Sequence, residues 1–172
     1  MKIPAIKIAD IKDARYGDLI FFSPLSSLSS KLQVKIDNLR QPVKQPYCHV
    51  AIYWGEIGGK QHVFEAQSVN QKNKQIGLSP LQEYRNYVIV RPKINKYWLR
   101  PKHELMALAG VSAYQYSRLL KVAQVRLFGL DMDSDDISQT ICTELGNWAW
   151  SYMTCDKSDC TPVSYYNSFD FV

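Results

Sequence analysis

The chain has 172 residues, of which 46% are apolar and 22% charged, and a net charge of +5. These figures exclude a disordered or collagen-like chain, and the length points to a single domain spanning residues 1–172. A chain of this size buries roughly 68–70% of its unfolded surface, so its core needs no disulfide or metal. The mild basicity suits an anionic partner, such as a cell-wall polymer or an acidic surface. The basic residues are scattered rather than massed in a block, which argues against a dedicated nucleic-acid binder.

The opening stretch, MKIPAIKIADIKDARYGD, is broken by charges every few residues and carries no apolar run of signal-peptide type. No stretch approaches the ~20 apolar residues of a membrane-spanning helix. The expectation is a cytoplasmic protein with no membrane span. Residues 1–16 read as an extended lead-in. In YGDLIFFSP, Gly17 and Asp18 mark a turn, and Leu19 to Phe22 form a short apolar run stopped by Pro24, a buried strand. SSLSSKLQVKIDNLR places Leu28, Leu32, Ile36 and Leu39 at helical spacing behind serines suited to capping.

CHVAIYWG is rich in β-branched and aromatic residues, EIGGKQ reads as a hairpin turn, and HVFEAQ as the returning strand. VNQKNKQIGLSP reads as a polar loop and YVIVRPK as a further strand. Beyond Pro101 the pattern turns helical over HELMALAGVSAYQYSRLLKVAQVRLFGL, as one long helix or two. DMDSDDISQT is an acidic loop, ICTELGNWAWSYM a second helix, and TPVSYYNSF a tail. Strands in the middle and helices in the C-terminal half give an α+β class.

His49 heads an apolar strand. Strand residues alternate faces, so His49, Ala51 and Tyr53 share one face and Val50, Ile52 and Trp54 the other. A lone histidine there is commonly structural, satisfied by a backbone carbonyl. Glu65 lies on the returning strand, and a carboxylate in an apolar strand is costly to bury unless paired. In a hairpin, Glu65 reaches the His49 ring and orients it. His62 is a rival orienter but abuts the GGK turn. Cys142 stands at a helix start, where the dipole favours a thiolate. Against that stand Asp133, Asp135 and Asp136 just upstream, whose negative charge raises a thiol pKa. Cys48 adjoins His49 but points to the opposite face.

The four cysteines, Cys48, Cys142, Cys155 and Cys160, form no CxxC pair, so no structural zinc site is expected. Cys155 and Cys160 have the spacing of a local disulfide, with free thiols the expected state. DMDSDD matches the first ligands of a calcium loop at Asp131, Asp133 and Asp135. It fails at Asp136, where glycine is required, and at Cys142, where glutamate is required. No phosphate-binding glycine loop, GxSxG elbow or HExxH helix is present in the sequence. Tyr47, Tyr53, Trp54, Trp148 and Trp150 are read as core before cleft lining. Asp18 is read as a turn former.

Three features stand in order: YGDLIFF, then HVAIYWG with VFEA, then ICTEL at a helix start. That order resembles the permuted papain-like cysteine hydrolases, the circularly permuted relatives of the NlpC-type peptidases. The YiiX-like amidases and the lecithin:retinol acyltransferase-like enzymes belong to them. The resemblance runs from Gly17 to about Pro162, and TPVSYY is similar to the family's Thr-Pro segment. Thr143 departs from the CSEL-like pattern, which has serine there.

The resemblance implies a small antiparallel sheet or barrel packed against helices, one of them carrying the nucleophile. It implies Cys142 as nucleophile, His49 as general base and then acid, and Glu65 as the orienting residue. His62 stays open because the acyltransferase-like branch uses a second histidine in that role. The implied activity is that of an amidase or peptidase without cofactor or metal, acting on a peptide, cell-wall or lipid amide. A lipid acyl-ester hydrolase or acyltransferase, and a non-catalytic binding module, are the alternatives.

Overall fold

A computed structural model describes residues 2–24, 28–39, 41–66, 76–81, 86–94, 99–109, 142–150 and 161–172. In chain order these form β1 (Ile3–Ile8), a 3-10 turn (Ile11–Asp13), β2 (Leu19–Phe22), α1 (Leu28–Asp37), β3 (His49–Ile57) and β4 (Lys60–Ala66). There follow β5 (Ile76–Pro80), β6 (Tyr87–Pro92), α2 (Lys102–Met106), α3 (Cys142–Ala149), α4 (Pro162–Asn167) and β7 (Phe169–Phe171). The class is α+β. The seven strands make one sheet in the order β5-β4-β3-β2-β6-β1-β7, antiparallel throughout except where β7 runs parallel to β1.

The centre of the sheet is where the sequence is most apolar. All four residues of β2 are buried, as are the first six of β3, because both faces are covered. One face carries Leu19, Phe21, Val50, Ile52, Trp54, Phe64 and Val90. Leu105 of α2, Cys142, Leu145 and Ala149 of α3, and Tyr165 and Tyr166 of α4 pack with them. The other face carries Ile20, Phe22, Ala51, Tyr53, Val63 and Ile89, closed by Leu81 and flanked by Ile8 and Ile11. Tyr47, Tyr53, Trp54 and Trp150 are all buried, as core residues.

The β3–β4 hairpin turns at Gly58 and Gly59, with φ of 59° and 76°. That left-handed pair is the two-residue turn which matches the twist of its strands, and glycine adopts it without strain. Pairing is regular from Ile52↔Phe64 to Tyr53↔Val63, then shifts at a bulge before Gly55↔His62. The strand therefore runs through Gly55 to Ile57 rather than ending there.

Three segments differ from the sequence reading. Part of the lead-in is β1, in which Ile3 and Ala5 alternate inward; it pairs with β6 from Ala5 to Ile8 and with β7 from Ile3 to Ala5. IGLSP, read as loop, is the edge strand β5. Its apolar content is low, and its pairing with β4 holds it extended. The TPVSYYNSF tail is α4 followed by β7. Thr161 caps α4 through a capping box with Ser164, and Pro162 sits at the helix start, where its missing N–H costs nothing. Of the helix expected beyond Pro101, the described part is α2 and the turns to Ala109. The acidic loop, Cys155 and Cys160 lie outside the described residues.

Candidate functional site

Each site residue is placed by the element that carries it. Phe22 of β2 stands directly opposite His49, the first residue of β3. The two rings stack at 5.8 Å and 24°. On the other side, the Ile52↔Phe64 register carried back one pair sets Ala51 against Glu65. Glu65 is thus the diagonal neighbour of His49 on the same face, within reach of a long side chain. The contact forms: His49 Nε2 lies 2.8 Å from Glu65 Oε2. On β5 the residue paired with Glu65 is Gly77, which has no side chain to crowd the carboxylate.

The third group comes from α3. Its first residue, Cys142, hydrogen-bonds the His49 ring. Leu145 and Ala149, further along α3, seat the helix on the Val50, Ile52 and Phe64 face. At Gly146 a Cβ would stand 3.0 Å from the Tyr165 ring, so glycine permits the close approach of α3 to α4. The three side chains meet at the N-terminal end of β3.

All three are buried: His49 is 8% exposed, Glu65 0% and Cys142 4%. A charge so far from water must be compensated by a partner. Burial alone pulls the His49 imidazolium down. The charge and hydrogen bond of Cys142, followed by the hydrogen bond and charge of Glu65, outweigh it and push His49 up to about 10. At neutral pH the ring is therefore an imidazolium with Nε2–H donating to the carboxylate.

The other thiol near the site differs. Cys48 Sγ donates to the Phe22 carbonyl at 3.6 Å. Burial, reinforced by the Cys142 charge, pushes the Cys48 thiol up to about 12, so it stays protonated. His62 does not join the His49 ring. Its Nδ1 donates to the Lys60 carbonyl at 2.8 Å, and it sits beside the hairpin turn across from Gly55.

Further residues position the site in ways that the sequence did not show. Tyr47, two residues before His49, hydrogen-bonds Tyr166 of α4, with the rings 4.5 Å apart. The capped helix α4 thereby anchors the chain entering β3, which gives the Thr-Pro segment a structural task. Asp18 does more than turn the chain. Buried at the start of β2, it accepts two hydrogen bonds from Arg91 of β6, at 2.8 and 2.7 Å, and one from the Arg15 backbone at 2.8 Å. Arg91 was invisible in the sequence because its partner is 73 residues away.

Among the described residues, no group of three or more His, Cys, Asp or Glu is arranged to hold a metal ion. No described helix is long and apolar enough to cross a membrane. Compared with protein-family models, curated proteins and solved structures, the chain matches none of them.

Proposed function

We propose that the chain is a cysteine-dependent hydrolase, an amidase or peptidase of the permuted papain-like type. In this reading Cys142 is the nucleophile, His49 the general base and then acid, and Glu65 the residue that orients and charges the imidazole. The observation that carries the reading is the single buried ring of His49, shared between a carboxylate and a thiol at a helix start. A base held by a third group and touching the nucleophile is the arrangement nucleophilic catalysis requires.

The sulfur, with its proton on His49, attacks the amide carbonyl carbon. A C–S bond forms and the carbonyl oxygen takes the electron pair. Backbone N–H groups in the first turn of α3 are the donors suited to that oxyanion. His49 gives its proton to the leaving nitrogen as the C–N bond breaks, and the amine departs. Water then loses a proton to His49 and attacks the thioester. The acid is released and the thiol restored.

The test is incubation with a peptide amide and, separately, with a phospholipid, following released amine and released fatty acid. Amine release, with an acyl mass trapped on Cys142 and lost in Cys142→Ala, supports the proposal. Fatty acid alone overturns it for a lipid acyl-ester hydrolase or acyltransferase. Neither product, or amine release that survives Cys142→Ala, overturns the assignment of a thiol enzyme.

A further inference from the structure

Helix α1 turns its leucines outward. On its inner side Asp37 is buried and Gln33, Val34 and Ile36 are half-buried, with Gln33 Nε2 donating to the Cys48 carbonyl at 3.4 Å. Its leucines face water. Leu28 is 85% exposed and Leu32, one turn on, 58%. Leu39 and Val43, just beyond the helix, are 53% and 55% exposed. Among the described residues, seven large hydrophobics are exposed, and these four fall between positions 28 and 43. Single exposed leucines need no explanation, whereas a cluster on one element marks a surface that something covers.

Charge identifies the occupant. Lys31 and Lys35 lie three residues after Leu28 and Leu32 on the same side of the helix, and both are exposed, as is Lys44 beside Val43. From Leu28 to Tyr47 the only acidic residue is Asp37, which is buried. The outward surface is thus aliphatic side chains interleaved with lysines, with no exposed acid. Its described outward side chains include no aromatic anchor of the kind protein interfaces use. Short aliphatic side chains flanked by ammonium groups suit a lipid headgroup layer, where leucines enter the acyl boundary and lysines meet phosphates without directional pairing.

We propose that the outer face of α1 and the following loop, centred on Leu28, Leu32, Leu39 and Val43, docks on an anionic phospholipid surface. On the inner side of α1 the Gln33–Cys48 hydrogen bond ties the helix to the residue next to His49, so docking sets that end of β3 beside the membrane. The inference stands apart from the thiol chemistry, because it concerns binding alone.

Co-sedimentation with phosphatidylcholine vesicles, with and without phosphatidylglycerol, tests it on the full chain. The protein is expected to bind the mixed vesicles and not the neutral ones. Leu28→Ser with Leu32→Ser, or Lys31→Glu with Lys35→Glu, is expected to weaken binding about tenfold. All four positions are solvent-facing, and far-UV circular dichroism checks that the variants fold. Equal binding to both vesicle types, no binding to either, or no loss in the variants overturns the proposal. So does a wild-type dimer in analytical ultracentrifugation that Leu28→Ser with Leu32→Ser turns into monomer, since a second copy would then be the cover.

Discussion

The sheet holds two buried carboxylates, and they are paired in opposite ways. Asp18 meets a guanidinium fork and a backbone N–H, and Arg91 also donates to the Asp13 carbonyl. Arginine keeps its charge at any ordinary pH and has no atom to offer as a base. That pair joins β2 to β6 and can do nothing else. Glu65 meets an imidazole, which titrates and interacts with Cys142 as well. The difference between a strut and a proton-transfer site is the valence left over once the carboxylate is satisfied.

The largest effect should come from the atom that only the second pair touches. Cys142→Ala is expected to lower any thioacyl turnover by ~10³-fold or more while circular dichroism shows the fold intact. An unfolded variant would mean that Cys142 serves packing alone. Glu65→Ala should cost about 3 kcal/mol in urea denaturation, because it strips a buried imidazolium of its partner. Glu65→Gln keeps the shape and removes the charge, so His49 should titrate lower, as followed by NMR of its ring protons.

The converse change should act on stability alone. Asp18→Asn is expected to cost about 2 kcal/mol, the scale of a charged hydrogen bond lost at a partly buried pair. Cys142 alkylation should stay within twofold of wild type. If Asp18→Asn slows alkylation as much as Glu65→Gln does, the two pairs are not different in kind.

A pH series separates them further. His49 sits above its ordinary 6.5 in the folded chain, at about 10. The folded state therefore holds that proton more tightly than the unfolded chain. Its stabilisation is complete below about pH 6.5 and is lost as pH rises through about 10. The stability difference between wild type and His49→Asn should shrink across that window. The difference between wild type and Asp18→Asn should not shrink with it. The smallest effect belongs to Thr143→Ser, which removes one buried methyl, costing about 0.8 kcal/mol.

Much of this was legible where physics is local. The β2 run, the Gly58–Gly59 turn and the alternation of β3 and β4 lie within short windows, and together they put His49 and Glu65 on one face. The α+β class follows from the same windows. Legibility failed where neighbours are distant in sequence. β5 is extended because β4 pairs with it, β7 because β1 does, and Asp18 is buried because Arg91 arrives from β6. Alternation also left the thiol contact open. It sets His49 and Glu65 on the face away from the apolar cluster to which Cys142 belongs, and only the placement of α3 brings sulfur to the ring. That contact was expected from the resemblance, not from spacing.

The central claim is that His49 activates Cys142, and iodoacetamide labelling mapped by mass spectrometry tests it directly. At about pH 6 an ordinary thiol is almost wholly protonated and reacts slowly. Cys142 is predicted to label faster there than Cys48, Cys155 and Cys160, and His49→Ala is predicted to slow Cys142 alone. Cys142 reacting no faster than Cys48, or at a rate indifferent to His49→Ala, would contradict the account.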